Sequence, residues 1–472
     1  MVNILRPKKF LFLLIVPFVL LLCVLINIMV FKGSHYTFMA ANQRVFETEQ
    51  HRNVICDKNM IPFTKENPRY DEKSLASHLV GYVNADGEGV SGIEKAFNDC
   101  LLKGSGKNLV LKDGSGKNIP NFKANGQGEE NKYLKLTLDY HIQKTVENVL
   151  DSHKISGAVV VMEVDSFDVC AMASRPQFNR NEIQKHTIYG DTELINRAVS
   201  PYNAGSIFKI VTASAFIEEG MENSGAPFFC SGGKSLDGIF FTCHKKEGHG
   251  ILNLNDALAH SCNCAFYNMG TLLGSEKICE YGKKFGIGKS VLKHSLNDNG
   301  GNIPKYLSRS NSESANLAIG QGEIMITPLQ GAKIACIIAS GGISREVNVA
   351  DCIVNEKGET EETLRKQSEQ RVISEETAKK VGKMMFDAVN FGTGTNAKSE
   401  KVSIAGKTGS AETGWQTEDG YMVQGWFVGF FPYENPKYAI AVMSENGRQG
   451  NKTCAPIFKE IAEEIYTIKK DG

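Results

Sequence analysis

The chain has 472 residues, with 53 Lys and Arg against 53 Asp and Glu, so its formal net charge is zero. A balanced charge gives no electrostatic drive toward a polyanion, which sets nucleic-acid binding aside. With 42% hydrophobic and 22% charged residues the chain is too apolar for disorder, and its 12 cysteines are too dilute for a small disulfide scaffold.

The first element is the run FLFLLIVPFVLLLCVLINIMVF, residues 10–31, which carries no charge. As a helix rising 1.5 Å per residue it extends about 33 Å, enough to cross a hydrocarbon core. Arg6, Lys8 and Lys9 precede it and Lys32 follows. The positive-inside rule therefore places residues 1–9 in the cytoplasm and the rest beyond the cell membrane, as a single-pass protein. A cleaved signal peptide is the competing reading, but its apolar region spans only about 7–15 residues. Ala40-Ala41 offers a weak cleavage site. Cys23 falls inside the span, leaving an odd number of cysteines outside, which cannot all pair within one chain.

Residues 32–132 read as a small domain of mixed polarity, with apolar pieces LASHLVGYV (75–83) and GIEKAFNDCLL (92–102). A Gly/Lys-rich stretch over 103–132 repeats GSGK without the spacing of a phosphate loop, so it reads as hairpin turns. From 133 to 472 the pattern is denser. LKLTLDYHIQKTVENVL (134–150) predicts a strand leading into an amphipathic helix. GAVVVMEV (157–164) and VCAMAS (169–174), joined by DSFD, predict a hairpin. IFKIVTASAFIEEG (207–220) predicts a helix ended by Gly220, and residues 326–342 another with Pro328 in its first turn. Strands at 402–413, 425–434 and 438–445 and a last helix over 455–468 follow. Strands from both ends around a helical middle predict an α/β (α+β) domain with one sheet built from N- and C-terminal pieces.

Three short motifs stand in order: Ser206-x-x-Lys209, Ser261-x-Asn263 and Lys407-Thr408-Gly409. The first two patterns also occur elsewhere, for example at Ser231/Lys234 and Ser314/Asn316, whereas Lys-Thr-Gly occurs once. Context selects Ser206, which follows Gly205 and opens an apolar helix with Lys209 one turn on. A serine needs an adjacent base to attack, and a desolvated lysine beside a second cation can serve. Lys407 would be that cation. Ser261 and Asn263 would face them, relaying a proton and holding a substrate amide. The backbone N–H groups of Ser206 and Ser410 would form an oxyanion hole. The plainer readings are an N-cap role for Ser206 and a solvent-facing strand position for Lys407.

The ordered motifs resemble those of serine penicillin-binding proteins and related β-lactamases. NRAVSPYNAGSIFK (196–209), GHGILNLNDALAHSCN (248–263), AIGQGEIMITPLQGA (318–332) and IAGKTGSAETGW (404–415) are similar to the catalytic region of class B penicillin-binding proteins. RNVICDKNMIPF (52–63) and LVGYVNADGEGVSGIEKAFN (79–98) resemble their pedestal module. The likeness runs from Gln43 to Tyr466 and is closest to short-pedestal members of the elongation or sporulation type. Ala204 stands where the family usually has Pro, and Ile207 where Thr is common.

The resemblance implies a central antiparallel sheet flanked by helices, behind a pedestal and one membrane helix. It implies D,D-transpeptidation: Ser206 is acylated by the D-Ala–D-Ala end of a peptidoglycan stem peptide, with Lys209 as base, and passes the acyl group to a neighbouring amine. Thr408, Gly409 and Ser410 would form the substrate-binding strand, holding the terminal carboxylate with Lys407. β-Lactams would acylate Ser206, no cofactor is needed for the chemistry, and a membrane glycan polymerase is the implied partner. A β-lactamase or a β-lactam-sensing membrane protein is the alternative.

Four cysteines, Cys230, Cys243, Cys262 and Cys264, crowd the second motif, with His244 and His249 between. Cys230, Cys243, His249 and Cys262 form a Cys₃His set suited to a closed tetrahedral zinc site. That reading comes from residue type and spacing. A Cys230–Cys243 disulfide and unrelated buried thiols compete with it. The scattered Cys56, Cys100, Cys170, Cys279, Cys336, Cys352 and Cys454 receive no role.

Overall fold

A computed structural model of the chain describes residues 6–31, 46–50, 52–65, 68–71, 74–102, 107–111, 132–183, 192–292, 296–417, 420–447 and 449–471. They divide into two compact units, residues 1–52 with 104–131 and residues 53–103 with 132–472.

In the first unit the apolar run forms the helix Arg6–Ile26, extended by a π-helical turn over Asn27–Phe31. Side chains are described from Ile15 to Val30, and all are exposed. Among the described residues no helix is long and apolar enough to cross a membrane. Phe46–Gln50 pairs antiparallel with Lys107–Leu111. The remainder of the stretch expected to form hairpin turns, residues 103–106 and 112–131, lies outside the described residues.

The second unit is built on a five-stranded antiparallel sheet. In spatial order its strands are Ala405–Thr417, Gly420–Phe431, Tyr438–Ser444, Gly157–Glu163 and Val169–Arg175. The sheet joins N- and C-terminal pieces where Tyr438 pairs with Glu163 and Ser444 with Gly157. Its strands read as nearly continuous apolar runs because both faces are covered. Alternate residues Ala158, Val160 and Met162 point to one cluster, with Ala439, Ala441, Met443, Trp426 and Val428. Val159, Val161, Ile440, Val442 and Phe427 point to the other. The helix Pro328–Ala339 covers the first face; the helices Gly450–Asp471 and Tyr140–His153 cover the second. Burying so many Val, Ile and Phe side chains, at about 1.5–3 kcal/mol each, dominates the stabilisation.

Local signals fix the helix ends. Asp139 caps Tyr140–His153 by accepting from the N–H groups of His141 (3.1 Å) and Ile142 (3.2 Å). Thr327 and Gln330 form a reciprocal capping box ahead of Pro328. The last helix begins at Gly450, five residues before the sequence suggests, and the strand Ala405–Thr417 runs beyond its expected end. In the latter case cross-strand pairing prolongs a strand that its own residues do not prolong.

A second sheet aligns Thr360–Thr363, Ala350–Asn355, Lys132–Leu136 and Val54–Cys56, the last two parallel. It ties residues 53–103 to the rest of this unit. Two small hairpin-like pairs, Phe228–Cys230 with Gly250–Leu252 and Gly233–Leu236 with Ile239–Thr242, lie beside the helix Asn263–Lys284.

Candidate active site

Ser206 lies in a 3₁₀ turn, Gly205–Ile207, immediately ahead of the helix Lys209–Glu218. Sequence spacing alone predicts a helix from 207; the structure starts it at Lys209, after the 3₁₀ turn. Gly205 makes the turn possible: its φ is +51°, and an added Cβ would lie 3.1 Å from the Ala411 Cβ and 3.3 Å from the Ser410 carbonyl oxygen. Gly409 allows the matching approach from the sheet, since a Cβ there would reach within 2.9 Å of Ile207 Cγ1. Two glycines thus bring the Ser206 turn against the Lys407–Ser410 strand.

Lys209 is fully buried. Its Nζ donates to the Ser261 carbonyl oxygen (2.8 Å), Asn263 Oδ1 (2.7 Å) and Ser261 Oγ (3.2 Å). Lys407, also fully buried, donates to Ser261 Oγ (3.0 Å) and to the Thr408 carbonyl oxygen (2.8 Å). The Ser261 hydroxyl therefore stands between two ammonium groups. Ser206, half-buried, is not a hydrogen-bond partner of either lysine, although Lys209 is its nearest motif neighbour in sequence. Ser261 adopts φ +53°, a left-handed conformation costing a non-glycine residue about 1 kcal/mol, which turns its hydroxyl and carbonyl to the same lysine.

Neither lysine has a carboxylate partner among the described residues. Burial pushes the Lys209 ammonium down to about 8, with nearby thiols opposing the shift. Burial and the adjacent Lys209 charge hold Lys407 well below the ordinary lysine value. The hydrogen count then has a chemical meaning. A charged Lys209 has three protons for three acceptors. A neutral Lys209 has two protons and a lone pair, and of its three partners only the Ser261 hydroxyl can turn round and donate. Ser261 can thus carry a proton between the lysines while Lys209 holds a lone pair.

Asn263 begins the helix Asn263–Lys284. Its Oδ1 is held by Lys209, and its Nδ2 donates to the Thr242 carbonyl oxygen (3.4 Å), which also accepts from the Tyr267 hydroxyl (2.9 Å). Phe266, 5.2 Å from the Lys209 Nζ, supplies an aromatic wall. Ser410 Oγ accepts from the Gly450 N–H (3.1 Å) at the start of the C-terminal helix. Thr408 Oγ1 lies 2.8 Å from Thr393 Oγ1. Phe266, Tyr267, Thr242 and Thr393 belong to no two-letter motif, and only the paired glycines around Thr393 mark its segment as a turn.

The four proposed metal ligands converge. One donor atom each from Cys230, Cys243, His249 and Cys262 lies within 4.8 Å of every other. His249 Nδ1 is 3.5 Å from Cys230 Sγ and 3.6 Å from Cys243 Sγ. Ordinary zinc bond lengths in a tetrahedron separate sulfur from nitrogen by about 3.6 Å. Cys230 and Cys243 are not joined to each other in this arrangement.

A two-face-covered antiparallel sheet, with Ser206 on a helix-entry turn opposite Lys407, defines the β-lactamase-like class of serine proteins. The chain belongs to the penicillin-binding protein transpeptidase family: residues 157–463 match the family described as "Penicillin binding protein transpeptidase domain". It is 31% identical over 413 residues to stage V sporulation protein D of Bacillus subtilis, covering 83% of this chain and 62% of that protein. It is 26% identical over 412 residues to the peptidoglycan D,D-transpeptidase FtsI of Escherichia coli, covering 83% and 66%. The chain spans just under two thirds of the length of the first relatives it matches. Among solved structures it resembles penicillin-binding protein 3 of Mycobacterium tuberculosis complexed with aztreonam. There the TM-score is 0.75 at 25% identity, over 89% of this chain and 96% of that one. The D,D-transpeptidase domain of an Eggerthella lenta peptidoglycan glycosyltransferase gives 0.73 at 26% identity, over 90% and 99%.

Proposed function

We propose that this protein is a membrane-anchored serine D,D-transpeptidase that cross-links peptidoglycan stem peptides. One observation carries the reading: the Ser261 hydroxyl lies between Lys209 and Lys407, 3.2 and 3.0 Å from their nitrogens, beside the Ser206 turn. Ser206 Oγ attacks the carbonyl carbon of the penultimate D-alanine. Neutral Lys209 takes the hydroxyl proton, and the backbone N–H groups of Ser206 and Ser410 receive the charge developing on the carbonyl oxygen. The tetrahedral adduct collapses to a seryl ester as the terminal D-alanine leaves. Its amine takes a proton through Ser261, which Lys407 resupplies. A neighbouring stem-peptide amine then displaces Ser206, its proton passing through Ser261 back to Lys407 while Lys209 returns a proton to the Ser206 oxygen. Asn263 orients the donor amide, and Lys407, Thr408 and Ser410 hold its carboxylate. A β-lactam follows the same first half-reaction and leaves Ser206 acylated.

Fluorescent penicillin should label the purified protein, and Ser206→Ala should abolish labelling. Labelling that survives this change would remove the assignment. A membrane glycan polymerase supplies the strands in this reading.

The domain reading is that residues 10–31 anchor the chain with residues 1–9 in the cytoplasm, that residues 32–132 are the pedestal, and that 133–472 form the catalytic domain outside the membrane. The uncharged run at 10–31 supports the anchor. Cys230, Cys243, His249 and Cys262 would hold one structural zinc, joining the 228–252 segment to the turn that carries Ser261 and Asn263. The donor set and its 3.5–3.6 Å sulfur–nitrogen separations support this. Metal analysis should return about one equivalent of zinc, and Cys243→Ser should lose it. Protein prepared with zinc yet carrying none would count against the site.

A further inference from the structure

The helix Glu375–Asn390 ends in a tight turn, residues 391–394, wedged between two parts of the candidate site. Gly392 has no alternative there: a Cβ would lie 2.2 Å from the Ala259 carbonyl oxygen. The Thr393 N–H donates to that same oxygen (3.0 Å), and the Gly394 N–H to the Ala388 carbonyl (2.9 Å). The turn is therefore clamped to the helix behind it and to the residue two before Ser261. Thr393 Oγ1 is placed 2.8 Å from Thr408 Oγ1 and 3.4 Å from the Ala259 oxygen. Thr408 is only 7% exposed, so its hydroxyl has little access to water.

Each hydroxyl has one proton, so the pair has two arrangements. In the first, Thr408 donates to Thr393, and Thr393 donates to the Ala259 carbonyl. In the second, Thr393 donates to Thr408, and the Thr408 proton is directed away from the pair. A ligand oxygen bearing negative charge accepts and cannot donate, so it selects the second arrangement. Thr393 then fills the acceptor side of Thr408 and strengthens it as a donor, since linked hydrogen bonds polarise one another.

We propose that Thr393 is a positioning residue whose hydroxyl dedicates Thr408 as a donor, and so sets the preference of the site for ligands ending in a free carboxylate. This rests on the reading that Thr408 faces the terminal carboxylate of the donor. Thr393 touches no reacting atom and acts only through Thr408.

The test uses two thioester donors that differ only at the end, one a free carboxylate and the other its carboxamide. The acylation efficiency of Ser206 is measured for both. The unmodified protein should prefer the acid. Thr393→Val, which keeps the shape but removes the hydroxyl, should cut the acid-to-amide ratio about tenfold, the value of one hydrogen bond. Thr393→Ser should restore it. An unchanged ratio in Thr393→Val overturns the proposal, as does an equal loss for both donors, which is what a purely structural role produces. If Thr393→Val does not fold, Thr393→Ser still decides: a preference lost despite the retained hydroxyl overturns the proposal. An unmodified protein that is acylated but does not distinguish acid from amide removes the reading of Thr408 itself, and the inference with it.

Discussion

Two sets of buried cations stand at opposite extremes of pairing. In the cleft, Lys209 and Lys407 are surrounded by a hydroxyl, an amide oxygen and backbone carbonyls. At the edge of the main sheet, Arg175 meets Asp151 (2.6 Å) and Glu147 (3.0 Å), and Arg197 meets Glu445 (2.8 Å). Burial works against the charge of Arg175, but Asp151 and Glu147 outweigh it and raise its pKa. At Lys209 burial outweighs the opposing pull of the nearby cysteines, no carboxylate answers it, and the pKa falls to about 8. Carboxylates lock a proton in place; neutral acceptors leave it transferable. The same desolvation therefore yields a structural clasp in one region and, in the other, two lysines suited to the acid–base roles proposed for them.

The largest expected effect breaks the lysine side of this contrast. Lys209→Met should slow acylation of Ser206 by about 10³–10⁴, the range for loss of a general base. It should leave the thermal midpoint unchanged or higher, because no carboxylate is stranded. Rapid-mixing kinetics with fluorescent penicillin checks the rate, and a fall of less than tenfold would deny Lys209 its role.

Arg175→Met attacks the other region. It leaves Glu147 buried without its cation and should cost about 3–5 kcal/mol in urea denaturation. Acylation by the remaining folded protein should stay near normal. A change under 1 kcal/mol would mean the clasp is not one.

His78 tests how this arginine-rich region answers acid. Burial, with the charges of Arg175, Arg197 and Arg180 nearby, lowers its pKa to about 4, although its hydrogen bond to the Glu193 carbonyl (2.6 Å) opposes the shift. The unfolded chain takes up a proton near 6.5 and the folded one resists until about 4. Stability from His78 is thus complete above 6.5 and lost as pH falls, by about 3 kcal/mol at pH 4. His78→Gln should flatten that slope in melts between pH 7 and 4.

The smallest effect sharpens the lysine reading. Below pH 8 the acylation rate should fall about tenfold per pH unit as Lys209 gains its proton. Stability carries the matching sign: between 8 and 10.5 the unfolded chain holds a proton the folded chain has lost, so the Lys209 contribution rises with pH. A rate that is flat from pH 6 to 8 would mean a different base.

Much of this was legible along the chain. The apolar runs at 157–164 and 438–445 and the Pro328 that opens its helix are local patterns, and local patterns survive without a fold. Residue type and order also determined the three motifs and the Cys₃His donor set. What the tertiary structure decided is which of these groups touch. Lys209 turns toward Ser261 and Asn263, more than fifty residues away, and not toward the serine three residues before it. Thr393 reaches Thr408 only because Gly392 lets its turn press against Ala259. The reason is physical: sequence spacing predicts neighbours within a turn of helix or a pleat of strand. A hydrogen bond between distant segments depends on how their supporting elements pack, and that packing also removes the water that would otherwise stabilise the charge on both lysines.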